Sequence, residues 1–515
     1  MNQSTTTSNT AFHSTFISVS DQVEIHGRFR PHDTAFIEGE RSLDWADYNQ
    51  AGDRIAQALV SAGIQKGERV ALLLSNCLWA HELLLGIWRA GAVAVPLSPL
   101  LNPGGLATML DDSGARILFA SSSYANLAAN AAGKSDLPLV TEGERFASFI
   151  EPAASAPTGI KLGADDLAVI IYSSGTTGTP KGIAHDHGAR LYFAISIASQ
   201  LRVNSSSLVL SVIPMHSNGA WLGWLPAMQM GATTVILPAF TPDSFVDAVR
   251  RHRPTHGFTV PTVCAVLLER PDIEEVGLDC FVGLTTAGSP MPAAVKQRMR
   301  ELTKDGLFEL WGLTEGLGTI MTPEDMGDRP DSVGRPLLGC DLRIVDDNDR
   351  EVSSGIIGEI VGYSASMMNG YWNRPDANEG LLWEDQTGKA FIRTGDVGEI
   401  DAEGFLALRG RTKEMILSGG LNVYPVDLES VLRGNDLVKD VAVVGVEHPK
   451  WGETPVAFVI PDGGAEVTPL ALKKWANERL AKHQRLHDVV IHPGDFARNA
   501  LGKVLKNELA DSYSL

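Results

Sequence analysis

The sequence contains little cysteine, no long apolar run and no excess of positive charge. Its four cysteines (Cys77, Cys264, Cys280 and Cys340) are widely separated and form no C-x-x-C pair, which argues against a disulfide framework or a thiolate metal site. No apolar stretch approaches the roughly 20 residues of a membrane-spanning helix. The formal net charge of −19 argues against nucleic acid as the main partner, because phosphate backbones are bound by clustered lysine and arginine.

These absences favour a soluble, cytoplasmic protein that has no membrane span and no nucleic-acid partner. Residues 1–24 are polar, rich in serine and threonine and without the pattern of a secretion signal, so we expect a disordered leader there. The chain has 515 residues, of which 44% are hydrophobic and 20% charged. Such a chain is long enough for about two or three domains with large cores.

Helical and extended patterns alternate from about residue 43 onward. Residues 44–62 have apolar side chains at helical spacing, whereas 69–75 and 115–119 are short apolar runs typical of buried strands. This alternation predicts β-α-β units and a largely parallel sheet covered by helices, and a second cycle follows from residue 167. Residues 121–166, rich in alanine, serine and glycine, are interpreted as a linker between subdomains.

The pattern changes in the last third of the chain. Beyond about Asp341, shorter alternating runs with turn signals indicate a more antiparallel region, and the last hundred residues or so resemble a separate small unit. The predicted fold class is therefore α/β. A large N-terminal domain (25–410) contains doubly wound sheets and an antiparallel β region, and a small α+β domain (411–515) follows it.

The most informative segment is 172–182, Tyr-Ser-Ser-Gly-Thr-Thr-Gly-Thr-Pro-Lys-Gly, which follows the apolar run 167–171. Backbone N–H groups exposed by glycine, hydroxyl donors and the Lys181 ammonium group together favour a polyphosphate. The loop differs from a Walker A loop, because Pro180 replaces the second glycine and Gly182 replaces the metal-binding Ser/Thr. The alternative is a surface turn without a ligand. The predicted phosphate-binding residues are Ser173, Ser174, Gly175, Thr176, Thr177, Gly178, Thr179, Pro180 and Lys181.

Five further segments complete a pattern. They are 286–290 (Thr-Ala-Gly-Ser-Pro), 310–315 (Leu-Trp-Gly-Leu-Thr-Glu), 393–396 (Arg-Thr-Gly-Asp), 410–422 and 499–503 (Asn-Ala-Leu-Gly-Lys). In this order, and together with the loop 173–181, they closely resemble the adenylate-forming superfamily. That group includes acyl-CoA synthetases, the adenylation domains of peptide synthetases and beetle luciferases. The resemblance implies ATP, Mg²⁺ and coenzyme A as cofactors and a carboxylic acid as substrate.

The resemblance implies how the reaction centre is built. Lys181 with the threonines of its loop would hold the β- and γ-phosphates, and Thr314 would reach the α-phosphate. Glu315 would bind Mg²⁺, a hard cation that prefers carboxylate oxygen. Lys503 would be the catalytic lysine, because an ammonium group beside the carboxylate and the α-phosphate stabilises the developing negative charge. The local alternative for Glu315 is a solvated carboxylate at a helix start.

The resemblance also implies how the nucleoside is held. Asp396 would accept hydrogen bonds from the ribose hydroxyls, and Arg411 would be a second ribose contact; locally, they would be a turn residue and a surface charge. The adenine site would be formed by Gly288, Ser289, Pro290, Trp311 and Gly312. Trp311 stands where family members usually carry tyrosine, so a stacking face is retained while the hydrogen bond of a phenol is lost.

A second half-reaction is implied, in which a mobile C-terminal domain turns about Lys413. Ser418, Gly419 and Gly420 would then line a tunnel for the thiol of CoA, since small residues leave room for a pantetheine arm. Trp451 would stack on the CoA adenine or, equally, be part of a core.

The resemblance locates the acyl pocket between 214–219 (Pro-Met-His-Ser-Asn-Gly) and 310–315. His216 would act near the entering carboxylate as a gate, or be an ordinary buried histidine. No aspartate follows between residues 214 and 226 to pair with an α-amine, which disfavours an amino acid substrate. Apolar neighbours favour an aromatic or medium-chain acid, although a core role explains them equally. The predicted pocket residues are His216, Asn218, Gly219, Trp221 and Leu222.

The leading interpretation is an acid:CoA ligase that releases AMP and pyrophosphate. One alternative is an acyl-AMP ligase that loads the thiol of a carrier protein. Another is an inactive nucleotide-binding sensor or scaffold, and a luciferase-like oxygenase on the same fold lacks specific support. For the oligomeric state, a homodimer is one alternative.

Overall fold

The computed structural model describes residues 16–173, 181–327, 329–419, 421–462, 468–498 and 504–513. Within these residues the strands form four sheets, which we name sheets I to IV. The α-helices in the described part of the chain are Val19–Phe29, Trp45–Ser61, Leu78–Arg89, Pro103–Ser113, Ala125–Ser135, Glu144–Ile150, His187–Leu201, Asn218–Met230, Pro242–His252, Pro261–Leu268, Ala293–Leu302, Pro323–Met326, Pro375–Asn378, Pro425–Arg433, Pro469–Asn477 and Lys506–Ser512.

Sheet I carries the strand that precedes the predicted phosphate loop. Its interior strands are parallel, whereas Lys181–Asp186 runs antiparallel to Leu167–Ser173 and to Gly370–Tyr371. The strand order in the described residues is Gly370–Tyr371, Lys181–Asp186, Leu167–Ser173, Val93–Pro96, Arg69–Leu73, Ala115–Ala120 and Leu139–Thr141.

Both faces of sheet I are buried. In the strand Arg69–Leu73, Val70 and Leu72 belong to one core cluster, whereas Ala71 and Leu73 belong to another. Successive side chains of a strand point to opposite faces, so a sheet covered on both sides needs apolar residues at every position. This explains the continuous apolar run and confirms the predicted helix-covered parallel sheet.

Sheet II contains the second cycle of β-α-β units together with an N-terminal hairpin. The strands from Leu307–Gly312 across to Thr34–Glu38 are mutually parallel, and the strands at both edges are antiparallel. The order in the described residues is Arg335–Pro336, Gly318–Met321, Leu307–Gly312, Gly283–Ala287, His256–Thr259, Leu208–Ser211, Thr233–Ile236, Thr34–Glu38 and Arg41–Asp44.

The smaller sheets III and IV lie in the last third of the chain. Sheet III is antiparallel, as predicted beyond residue 341, and consists of Cys340–Val345, Gly358–Ser364, Ala390–Ile400, Leu382–Glu384 and Leu406–Arg411. Sheet IV consists of Leu421–Val423, Ile416–Ser418, Gly452–Pro461, Val438–His448 and Asp488–Ile491. With its flanking helices, sheet IV forms the predicted α+β unit.

The predicted linker at residues 121–166 is wrong for most of its length. Ala125–Ser135 and Glu144–Ile150 are helices, and Leu139–Thr141 is an edge strand of sheet I. Alanine is the best helix former, and Ala128, Ala131 and other small residues are fully buried where the helix packs closely. The alanine content that resembled a linker therefore belongs to a packed helix.

The predicted leader is also too long. The helix Val19–Phe29 begins inside the segment 1–24, with Ser18 and Asp21 forming a capping box. Val19 and Val23 are buried against the main core.

At the predicted boundary between the two domains, Arg411 completes a strand of sheet III and therefore does not begin the C-terminal unit. Lys413 lies in an exposed turn between sheets III and IV.

Candidate active site

A cavity of about 110 Å³ lies at the carboxyl ends of the parallel strands of sheet II. Ligands of open α/β sheets bind in this position, because the loops that leave neighbouring strands meet there. The residues that line it are Phe193, Ser217, Asn218, Gly219, Leu222, Phe258, Val260, Ala287, Gly288, Leu310, Gly312, Leu313, Thr314, Gly316, Leu317, Leu337 and Ser366.

The cavity brings together residues that the sequence assigned to two different ligands. Gly288, Gly312 and Thr314 were predicted to contact the nucleotide. Gly288 follows the strand Gly283–Ala287, whereas Gly312 ends the neighbouring strand Leu307–Gly312 and Thr314 lies just beyond it. Asn218, Gly219 and Leu222 were predicted to line the acyl pocket, and they belong to the first turns of the helix Asn218–Met230. Ser289 and Pro290 directly follow Gly288 at the same edge.

Trp221 and His216 do not line this cavity. Trp221 is fully buried, and its indole N–H donates a hydrogen bond to the carbonyl oxygen of Met215 at 3.1 Å, so its place is in the core. Among the described residues, the Nδ1 atom of His216 is buried without a hydrogen-bond partner. Burial lowers the pKa of His216 to about 4, so the ring is neutral near pH 7.

The predicted ribose-binding residues form one cluster between sheets II and III. Asp396 and Arg411 lie directly opposite each other in an antiparallel pair. The Nε atom of Arg411 lies 2.7 Å from Oδ1 of Asp396, and the indole N–H of Trp311 donates to Oδ2 at 3.0 Å. Asp396 is 5% exposed. Trp311 thus supplies a hydrogen bond through its indole N–H, although it lacks the phenol hydroxyl of the usual tyrosine.

The predicted phosphate and metal residues meet at a side chain that the sequence analysis missed, Tyr371. Its hydroxyl donates to Oε1 of Glu315 at 2.8 Å, and the Nζ atom of Lys181 lies 4.6 Å from the centre of its ring. Burial, and then the charge of Glu315, raise the pKa of Tyr371, so the phenol remains a donor. Tyr371 reaches Lys181 because the strand Gly370–Tyr371 pairs with the strand Lys181–Asp186.

The loop between Leu313 and Leu317 is held in position from two sides. The Nε2 atom of His185 lies 2.9 Å from the carbonyl oxygen of Thr314, and since a carbonyl only accepts, the ring carries its proton on Nε2. Gly316 has φ of 101°, and a Cβ atom there would lie 2.0 Å from the carbonyl oxygen of Ser366. Only glycine fits this position.

The described residues among those predicted to bind CoA, Ser418, Gly419 and Trp451, lie together at one end of two paired strands of sheet IV. The backbone N–H of Gly419 donates to the carbonyl oxygen of Trp451 at 2.8 Å, and Ser418 pairs with Gly452. Trp451 is 46% exposed, which excludes the alternative that it belongs to a core. The Nζ atom of Lys450 lies 4.6 Å from the centre of its indole ring.

Several predicted residues lie wholly or partly outside the described part of the chain. The side chain of Ser173 lies outside the described atoms. The predicted residues outside the described ranges are Ser174, Gly175, Thr176, Thr177, Gly178, Thr179, Pro180, Gly420 and Lys503.

Glu315 remains the candidate metal ligand. The described ranges contain no group of three or more His, Cys, Asp and Glu side chains that would hold a metal ion. Mg²⁺ is often bound by one or two carboxylates together with substrate phosphates, so a single carboxylate oriented by Tyr371 fits that ion.

None of the helices in the described ranges has the length and apolar character needed to span a bilayer.

Comparisons with known proteins agree with this geometry. The family model described as AMP-binding enzyme matches residues 23–372, and the AMP-binding enzyme C-terminal domain matches residues 427–503. The chain is 32% identical to the long-chain-fatty-acid–CoA ligase FadD13 of Mycobacterium tuberculosis, over 94% of this chain and 96% of the relative. It is 31% identical to a feruloyl-CoA synthase of Amycolatopsis, over 94% of this chain and 96% of that enzyme.

Solved structures extend the agreement to three dimensions. ATP-bound MatB from Rhodopseudomonas palustris superposes with a TM-score of 0.87 at 28% identity, covering 95% of this chain and 99% of that chain. The o-succinylbenzoate CoA synthetase of Bacillus subtilis, solved with the acyl-adenylate OSB-AMP, gives a TM-score of 0.83 at 27% identity, covering 96% and 98%. The resemblance to adenylate-forming enzymes is thereby confirmed: this chain belongs to the AMP-binding enzyme family and is an acid–thiol ligase of the acyl-CoA synthetase type.

Proposed function

We propose that this enzyme joins a compact carboxylic acid to coenzyme A in two steps. In the first, a carboxylate oxygen attacks the α-phosphorus of ATP, and the bond to the leaving pyrophosphate breaks. In the second, the thiol sulfur of CoA attacks the acyl carbon, AMP leaves and the thiol proton is released. The observation that carries the proposal is the single cavity shared by Thr314 and Gly288 on one side and Asn218 and Leu222 on the other.

Nucleoside binding is assigned to Asp396, Arg411 and Trp311. Arg411 and Trp311 each donate to a different oxygen of the Asp396 carboxylate, which fixes its orientation. A carboxylate held in this way is suited to accept hydrogen bonds from two vicinal hydroxyls, since each oxygen accepts more than one. Gly288, with φ of 98°, presents exposed backbone beside the adenine site.

Phosphate binding is assigned to Lys181 and to the loop that precedes it, and magnesium binding to Glu315. When bound, Mg²⁺ would neutralise phosphate charge and so favour attack by an anionic carboxylate. Tyr371 orients Glu315 through a hydrogen bond of 2.8 Å and packs its ring against the Lys181 ammonium group. Both contacts hold these charged groups in place before the substrate arrives.

The acid is proposed to be aromatic or of medium length. A cavity of about 110 Å³ is smaller than the clefts of roughly 300–1,000 Å³ that hold drug-sized ligands, which favours a compact acyl group. Most of its wall is apolar, with Leu222, Phe258, Val260 and Leu337 contributing side chains.

Transfer to CoA is assigned to sheet IV. Lys413, in the exposed turn between sheets III and IV, is proposed as the hinge about which the C-terminal unit rotates. The exposed ring of Trp451, close to Ser418 and Gly419, is proposed to stack on the adenine of CoA. The assignment of Lys503 as the catalytic lysine rests on its motif.

ATP–pyrophosphate exchange with a panel of carboxylic acids tests adenylation, and CoA-dependent release of AMP tests the second step. We expect exchange with at least one compact acid and thioester formation on addition of CoA. Asp396→Ala should abolish nucleotide binding, whereas Asp243→Ala, whose side chain is 84% exposed, should not. Lys503→Ala should lose exchange but still form thioester from preformed acyl adenylate. Absence of exchange with every acid would refute the proposed function.

A further inference from the structure

A buried arginine lies behind the acyl cavity. Arg190, in the helix His187–Leu201, is 2% exposed, and its Nη1 atom donates to Oδ1 of Asn218 at 2.9 Å. Among the described residues, its Nε and Nη2 atoms have no hydrogen-bond partner. Burial lowers the pKa of Arg190 to about 9, so the guanidinium still carries its charge near pH 7.

The surroundings of Arg190 stabilise its charge only in part. Aromatic rings lie near the guanidinium, with Cζ 5.0 Å from the ring centre of Trp221 and 5.4 Å from that of Phe193. Such contacts contribute modestly, whereas a buried charge without an ionic partner is costly. Across the described ranges this side chain forms no ion pair with a carboxylate. The charge of Asp186 raises the pKa of Arg190 and so offsets part of the cost of burial, but it does not form an ion pair with the guanidinium, so the protein neutralises this positive charge only in part.

Arg190 fixes which way the amide of Asn218 points. A guanidinium group only donates hydrogen bonds, so the atom of Asn218 that faces it must be the oxygen. The amide nitrogen Nδ2 then points away from Arg190. Asn218 is half-buried and lines the cavity, and no described residue accepts a hydrogen bond from its Nδ2. An N–H donor of fixed orientation is thus available beside the acyl site.

We propose that Asn218, held by Arg190, selects carboxylic acids whose acyl group carries a second oxygen acceptor, either a carboxylate or a carbonyl oxygen. The proposal deepens the proposed function and rests on it. Nδ2 of Asn218 donates to the second oxygen, and the charge behind the amide favours an anionic or strongly polarised acceptor.

The apolar side chains in the cavity wall allow the Nδ2 donor of Asn218 to discriminate between acids with and without a second acceptor. The side chains of Leu222, Phe258 and Val260 cannot accept a hydrogen bond from Nδ2. An acid that lacks the second acceptor would displace water from Nδ2 of Asn218 and leave this N–H without a hydrogen-bond partner, which weakens the binding of that acid. Sites built to hydrogen-bond a substrate reject analogues that lack the group for this reason.

Matched pairs of acids test the proposal. We would measure kcat/KM for pyrophosphate exchange with 5-oxohexanoate and adipate against hexanoate, and with 4-acetylbenzoate against 4-ethylbenzoate. The native enzyme should prefer the acceptor-bearing acid of at least one pair by about tenfold, which corresponds to about 1.4 kcal/mol. Asn218→Leu, which keeps the volume and removes the donor, should reduce that ratio to about one.

Variants of the arginine separate orientation from simple packing. Arg190→Met should lower the same ratio, because the amide is then free to turn its oxygen toward the cavity, and Arg190→Lys should restore part of it. Arg202→Met is a matched control, since Arg202 directly follows the same helix and its side chain is 59% exposed. If thermal denaturation shows that Arg190→Met is not folded, the result with Asn218→Leu alone tests the proposal.

The outcomes separate two failures. Exchange with no acid at all overturns the proposed function and, with it, the selection of acids. Exchange with an equal or inverted preference in every pair overturns only the role of Asn218 and Arg190. A clear preference that Asn218→Leu leaves unchanged also overturns it, because the discrimination must then arise elsewhere.

Discussion

Replacing Tyr371 by phenylalanine isolates one hydrogen bond at the centre of the candidate site. The change removes the hydroxyl that donates to Glu315 at 2.8 Å and keeps the ring whose centre lies 4.6 Å from the Lys181 ammonium group. A hydrogen bond to a charged group contributes about 1.5–3 kcal/mol. Because both partners are half-buried, we expect the lower end of that range.

This energy predicts a loss of about tenfold in kcat/KM for pyrophosphate exchange, since about 1.4 kcal/mol is a factor of ten. The loss should be partly recovered at high Mg²⁺ concentration, because the proposed ligand Glu315 is misoriented but not removed. Tyr371→Leu also removes the ring from Lys181, and we expect KM for ATP to rise by a further few-fold, as the loss of an interaction of about 0.5–1 kcal/mol implies.

The control is Tyr363→Phe. Tyr363 also has a lysine near its ring, with the Nζ atom of Lys389 at 4.2 Å, but it lies on sheet III and is 40% exposed. That variant should behave like the native enzyme. If Tyr371→Phe matches native exchange at every Mg²⁺ concentration, then Tyr371 does not orient Glu315 for catalysis and the assignment is wrong.

Three other perturbations probe the loop, the acid stability and the CoA step. Gly316→Ala should give a destabilised enzyme with little exchange, because its Cβ would collide with the Ser366 carbonyl; native unfolding and exchange rates would contradict this. Burial lowers the pKa of His187 to about 4 from 6.5, so the free energy of unfolding decreases as pH falls from about 6.5 toward 4. In urea denaturation, His187→Gln should reduce the slope of this free energy against pH by up to about 1.4 kcal/mol per pH unit. The control His32→Gln, at an exposed site, should leave the slope unchanged. Trp451→Ala should raise KM for CoA by about tenfold, the loss of one stacked ring, without changing exchange; an unchanged KM would remove Trp451 from the CoA site.

Local patterns predicted much of the fold. The segment 44–62 was predicted as a helix from its apolar spacing, and the structure has Trp45–Ser61 with Asp44 as its N-cap. The run 69–75 was predicted as a buried strand and is Arg69–Leu73. Prediction was wrong at 121–166, because alanine-rich composition fits both an exposed linker and a closely packed helix, and only burial distinguishes them.

The candidate site could be predicted only where a motif carried it. Asp396, Arg411 and Trp311 lie in separate motifs, and the structure joins them through two donors to one carboxylate. Trp221, predicted from its place beside a motif, is instead in the core. An apolar side chain next to a site has no sequence signal that distinguishes the cavity wall from the interior behind it.

The order and composition of the motifs by themselves determined the family, because each motif concentrates its characteristic residues within a few consecutive positions, and the alternation of helical and extended patterns determined the fold class. Only the tertiary structure decided that Tyr371 joins Lys181 to Glu315 and that Arg190 orients Asn218. Tyr371 and Glu315 are 56 positions apart, and Arg190 and Asn218 are 28 apart. Neither pair forms a local pattern. The loop that carries Glu315 accepts a backbone hydrogen bond from Met368 at 2.9 Å, close to Tyr371, and the packing of two helices brings Arg190 and Asn218 together.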